Sequence, residues 1–144
     1  MRQNTIWNII GAIRRLMDVL PHGLALRFGA MCAGLAGAMS RRTVDRAERN
    51  CVRAMQVGVT RARSIVRGSY ANLGRSVAEF SRMTRHPEIT DNVVVHGEEN
   101  LRSALAAGKG AILLSAHMGN WELGAAALAR RGFPVNAIGA DQRD

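Results

Sequence analysis

The chain has 144 residues and about half are apolar, enough for one domain with a real core. Its formal net charge of +9 is unevenly spread: residues 1–90 hold fifteen arginines against five acidic residues, whereas residues 91–144 hold five basic against six acidic. The first part is therefore a basic, surface-seeking segment and the second a near-neutral globular one. Two cysteines, Cys32 and Cys51, sit in apolar helical patterns with no CxxC and no histidine at ligand spacing. They are read as small buried hydrophobes in a reducing compartment, and no metal site is expected.

Residues 5–20, TIWNIIGAIRRLMDVL, carry Ile6, Ile9, Ile10, Ile13, Leu16, Met17 and Leu20 at helical spacing, with Arg14, Arg15 and Asp18 off that face. This is an amphipathic helix with Trp7 near its start. Pro21 and Gly23 break it. Residues 23–39, GLALRFGAMCAGLAGAM, are apolar apart from Arg27; seventeen residues is the short edge of a bilayer span, and a central charge is costly there. The expectation for residues 1–40 is an interfacial helical hairpin lying in one leaflet, its basic side chains on anionic headgroups. Packing of both helices on the chain's own core is the alternative.

Residues 41–90 read as a basic helical segment. Thr43 is a possible N-cap, and Val44, Ala47, Cys51, Val52 and Met55 form an apolar stripe. Gly58 interrupts, Thr60 can cap the next helix, and Val66, Tyr70, Leu73, Val77 and Phe80 follow as a core-facing stripe ringed by arginines. That helix must end near His86, because the residue before Pro87 avoids the α region.

The period then changes. NVVVHG (92–97) is a β-branched run expected as a strand, 98–107 a short helix, AILLSA (111–116) a strand buried on both faces, 120–131 a helix closed by Gly132, and VNAIGA (135–140) a third strand. The fold class expected is α/β: N-terminal membrane-associating helices and a helical bundle, followed by a β-α-β-α-β half of a mixed sheet from residue 91. Three strands without a closing helix suggest the front portion of a longer protein, inactive as a segment by itself.

The stretch LLSAHMGNWELG (113–124) carries the chemistry. A histidine five residues before a glutamate is not a helix-face pair, so His117 is placed ahead of a helix and Glu122 in its first turn. Ligands gather at the carboxyl ends of parallel strands, where His117 would stand. A carboxylate on one ring nitrogen fixes the tautomer and raises the basicity of the other, which suits a general base acting on a hydroxyl. Gly119 permits close approach, and Asn120 is a good N-cap. Ser115 lacks a nucleophile-elbow context, so direct transfer to an acceptor hydroxyl is simpler than a covalent acyl-enzyme. His22, His86 and His96 are read as structural.

HMGNWE resembles the H-x4-D/E motif of the bacterial lipid A biosynthesis acyltransferases, the lauroyl and myristoyl transferases. The resemblance continues through VVVHGEENLRSALAAGKGAILLSAHMGNWELGAAALARRG and, upstream, through RGSYANLGRSVAEF and RAERNCVRAMQ, so that it runs from about residue 41. It implies transfer of a fatty acyl chain from a thioester donor, usually an acyl carrier protein, to a hydroxyl of a lipid A-type glycolipid at the cytoplasmic face of the inner membrane. It matches His117 to the general base and Glu122 to its carboxylate partner. Gly119, Asn120 and Trp121 match the turn around them and are expected to meet substrate. No metal or other cofactor is implied. The family's arginine after the third strand has only a poor counterpart in Arg143 of GADQRD.

Alternatives of other kinds are an acyltransferase-like membrane protein acting on another lipid, and a basic helical binding module without catalysis. Nucleic acid is disfavoured as a partner: the arginines flank an apolar stripe, aromatics are few, and no binding motif appears.

Overall fold

The structure, a computed structural model, describes residues 2–138, apart from the side chains of residues 2–6 and Ile9. The element order is α1 (Arg2–Val19), α2 (His22–Met39), α3 (Arg41–Met55), α4 (Val59–Arg82), a 3-10 turn (Pro87–Asn92), α5 (Glu98–Ala106) and α6 (Trp121–Arg130). The chain divides into two compact units, Met1–His86 and Pro87–Asp144.

The first unit is built on the antiparallel crossing of α2 and α4. At the closest point the facing residues are small, Gly29 and Ala33 on α2 against Gly74 and Ala78 on α4, and one turn further along the Tyr70 ring lies over Gly37. Gly29 faces Gly74, and a Cβ added to Gly37 would stand 3.2 Å from the Tyr70 ring. Small side chains let two helix backbones approach closely, which replaces side-chain interdigitation by backbone dispersion contacts.

This corrects the expected core stripe on α4. Val66 is buried and Tyr70 half-buried, but Leu73, Val77 and Phe80 are 58%, 51% and 50% exposed. The buried row is instead Ala62, Val66, Gly74, Ala78 and Arg82. The reason lies in the partner: at the closest point of the crossing α2 presents Gly29 and Ala33, and Gly74 and Ala78 fit there where a larger side chain would not.

Arg82, 4% exposed, is the charged member of that row. Its guanidinium donates to the carbonyl oxygens of Met17 and, at 2.9 Å, of Leu20. His86 Nε2 lies 3.0 Å from the Asp18 carbonyl oxygen, and Arg85 pairs with the Asp18 carboxylate at 2.9 Å. Carbonyls in the last turn of a helix lack intrahelical donors and carry the negative end of its dipole. The C-terminal end of α4 thus supplies both the donors and the positive charge that close α1. His86 is structural, as expected.

In the second unit, α6 ends in a Schellman motif. Gly132, at φ +86°, donates to the Ala129 carbonyl, and Phe133 donates to the Leu128 carbonyl at 3.2 Å. Phe133 is buried beneath the Arg102 guanidinium, 4.7 Å from its ring centroid. Arg130 pairs with Asp91 at 3.1 Å, and Arg131 donates to the Val93 carbonyl at 2.7 Å.

The expected β-α-β-α-β half-sheet is not formed: among the described residues there is no strand. Residues 139 and 140 of the expected third strand, and Arg143, lie outside the described residues. The first run fails because Pro87–Asn92 closes as a 3-10 turn, fixed by Thr90 Oγ1 on the Pro87 carbonyl (2.7 Å) and Val93 N–H on the Thr90 carbonyl (3.1 Å). Arg131 then takes the Val93 carbonyl that a neighbouring strand would need. The second run, 111–116, has no regular secondary structure and is bare, with Ile112 at 100% and Leu114 at 95% exposure. A parallel strand requires a paired neighbour and cover on both faces. The two helices of this unit, nine and ten residues long, provide neither.

Candidate functional site

The His117 turn is made by local geometry. Met118 donates to the Ala116 carbonyl at 2.8 Å, a three-residue turn with His117 at its centre. Gly119 follows at φ +63°, a left-handed conformation that residues with a Cβ rarely adopt. Asn120 then starts α6, its Oδ1 accepting from the Leu123 N–H at 3.0 Å. That side chain satisfies one of the four first-turn donors. The expectation of an Asn120 cap agrees with this geometry, whereas Thr43 and Thr60 cap nothing: Ser40 and Gly58 hold the N-cap positions of α3 and α4.

His117 is solvent-exposed, and its ring packs against Trp121 with centroids 4.4 Å apart and planes tilted by 53°. The motif by itself does not announce this stacking, although Trp121 follows His117 by four residues. Trp121, the first residue of α6, remains 42% exposed. Glu122 lies half-buried in the first turn of α6, where the helix dipole favours a negative charge. Among the described residues, no hydrogen bond joins His117 to Glu122. The structure therefore brings together His117, Gly119, Asn120 and Trp121 as one turn, and places Glu122 at its rim.

The apolar residues on either side of the histidine, Leu113, Leu114 and Met118, are also exposed. The imidazole thus stands within an apolar stretch. Among the described residues no three His, Cys, Asp or Glu side chains converge as a metal-holding group.

Compared with known protein families, residues 1–143 match the model described as bacterial lipid A biosynthesis acyltransferase. The chain belongs to that family. No curated protein and no solved structure matches the chain. Membership in the lipid A acyltransferase family gives the chain its general class, an acyltransferase of the lipid A type. The match takes in the whole helical unit as well as the His117 turn. No single described helix of this lipid A acyltransferase chain is long and apolar enough to cross a membrane. Helices α2 and α3 meet the length and composition of a span only as a pair bent by 96°.

Proposed function

We propose that the protein is a membrane-associated O-acyltransferase. It moves a fatty acyl chain from an acyl-carrier-protein thioester to a hydroxyl of a lipid A-type glycolipid at the cytoplasmic face of the inner membrane. His117 is the general base and Glu122 the carboxylate that orients it. The observation that carries this reading is the exposed imidazole of His117, held by a Gly119–Asn120 turn at the N-terminus of α6 in a chain of this family.

The step balances without a cofactor. A ring nitrogen of His117 takes the proton of the acceptor hydroxyl as its oxygen attacks the thioester carbonyl. The new C–O bond forms, the C–S bond breaks, and the imidazolium returns its proton to the departing thiolate. Negative charge on the carbonyl oxygen in between is stabilised by first-turn N–H groups of α6, since Trp121 and Glu122 present donors that the helix itself does not use. Glu122 acts by turning its carboxylate back toward the second ring nitrogen across the Met118–Asn120 turn.

Membrane association is supported by exposed apolar side chains on α1 and α2, among them Trp7, Ile10, Leu16, Leu24, Met31 and Leu35, next to Arg14, Arg15 and Arg27. The test is transfer of label. The complete reading frame, purified in detergent, is given acyl carrier protein loaded with a labelled acyl chain and polar lipids of a Gram-negative membrane. Label appearing in a glycolipid supports the reading, and label remaining on the carrier or released as free fatty acid contradicts it.

A further inference from the structure

Helix α3 carries a feature that the acyl-transfer chemistry leaves unused. Arg42, Arg46, Arg49 and Arg53 follow one another at spacings of four, three and four, so they share one face of the helix. All four are exposed, and among the described residues none is in an ion pair. At about 1.5 Å per residue the row is about 16 Å long. Val44, Ala47, Cys51 and Val52 are half-buried on the side that packs toward α4, where Glu48 is engaged by Arg63 at 3.5 Å. The arginine row thus faces away from the unit's own packing.

The unit's exposed apolar side chains are on α1, α2 and α4, and α3 contributes only Met55, about 150° around the helix from the centre of the row. A face that inserts into lipid mixes basic and large apolar side chains, and this one does not. Arg49 and Arg53 also border an open groove lined by Val52 and Val59 and by Asp45 and Glu48, the latter engaged by Arg63. A line of unpaired guanidinium groups beside a short apolar strip complements an acidic amphipathic helix on a soluble protein.

We propose that the Arg42–Arg46–Arg49–Arg53 face of α3 docks an acidic helical protein surface. Resting on the function proposed above, that protein is the carrier delivering the acyl thioester. The row would speed encounter and fix orientation, with an ionic-strength dependence that an apolar contact lacks.

The experiment uses the complete protein in detergent, with Arg46→Glu/Arg49→Glu beside wild type and Arg46→Lys/Arg49→Lys as a charge-retaining control. Thermal melts check that all three are folded. Binding of fluorescently labelled acyl carrier protein is read by anisotropy at two salt concentrations, and transfer is measured from the acyl carrier protein and from the same acyl chain on pantetheine. The proposal expects the reversal to weaken carrier binding and raise its KM at least about tenfold. Transfer from acyl-pantetheine would stay unchanged, and the lysine variant would remain near wild type. Equal carrier binding by all three proteins overturns the proposal, as does an equal loss with both donors. Loss of binding to vesicles containing phosphatidylglycerol, with carrier binding intact, also overturns it and assigns the row to the membrane. If wild type binds the carrier through this row but transfers nothing from either donor, the docking surface stands and the acyl-transfer reading fails.

Discussion

Gly29 and Gly74 meet backbone to backbone at the crossing of α2 and α4. A Cβ added to Gly74 would lie 2.1 Å from the Gly29 carbonyl oxygen and 2.8 Å from the Ala33 Cβ; one added to Gly29 would lie 2.3 Å from the Gly74 carbonyl oxygen. Backbone atoms cannot rotate away as a side-chain tip can, so the two helices would have to separate. Gly74→Ala is expected to destabilise the first unit by about 1–3 kcal/mol or more. Gly68→Ala, in the same helix with nothing within 4 Å of the added methyl, is expected to stabilise by about 0.5–1 kcal/mol. Urea midpoints of the two variants moving in opposite directions are the check.

Arg82 closes α1 from the side of α4. Arg82→Met retains most of the apolar stem but leaves the Met17 and Leu20 carbonyls without their donor. A loss of about 2–4 kcal/mol is expected, because hydrogen bonds from a charged donor to buried acceptors are among the stronger ones. Hydrogen exchange should quicken first in the last turn of α1. Unchanged exchange there would mean that α1 is held by other contacts.

The Asp18–Arg85 pair gives an ordering of two variants. The Asp18 side chain is 6% exposed and Arg85 59%. Asp18 also sits in the last turn of α1, where the helix dipole opposes a negative charge. Arg85→Ala therefore leaves an uncompensated buried carboxylate, whereas Asp18→Asn removes the charge along with its burial cost. Arg85→Ala should be the more destabilising of the two in denaturant titrations, and the reverse order would show that the Asp18 carboxylate is well solvated.

Gly119 and Asn120 shape the His117 turn and should be separable by substitution. Gly119→Ala places a Cβ at φ +63° and is expected to cost about 1–2 kcal/mol and to lower acyl transfer through displacement of His117. Gly119→Asn, which tolerates that conformation better, should retain more of both. Asn120→Ala should cost about 1 kcal/mol from the lost cap, with Asn120→Asp near wild type because it keeps the acceptor and adds a charge that the dipole favours. Thermal melts and transfer assays on the four variants read both effects.

Helix-forming segments were legible because their signals are local. Pro21 and Gly58 mark breaks, Asn120 and Gly132 mark the ends of α6, and the apolar spacing fills the intervals. The His117 turn was legible for the same reason, since Gly119 and Asn120 encode its geometry within two residues. The strands were misread because a β-branched or apolar run is a strand only when another strand pairs with it. For NVVVHG the competing local bonds of Thr90 and Arg131 prevailed, and AILLSA has no partner among the described residues. The core of α4 was not legible in its apolar stripe because size, rather than hydrophobicity, decides which residues fit at the crossing. Gly29, Ala33 and Gly37 on α2, set against Gly74 and Ala78 on α4, were the available signal of a close crossing.

The most direct measurement is the rate of acyl transfer by His117→Ala, with Glu122→Gln beside it, in the labelled-carrier assay under single-turnover conditions. General-base catalysis by His117 predicts a fall of about 10²–10⁴ for His117→Ala, with carrier binding intact, and a smaller fall for Glu122→Gln. Transfer by His117→Ala at the wild-type rate would contradict the assignment and move the catalytic base elsewhere in the protein.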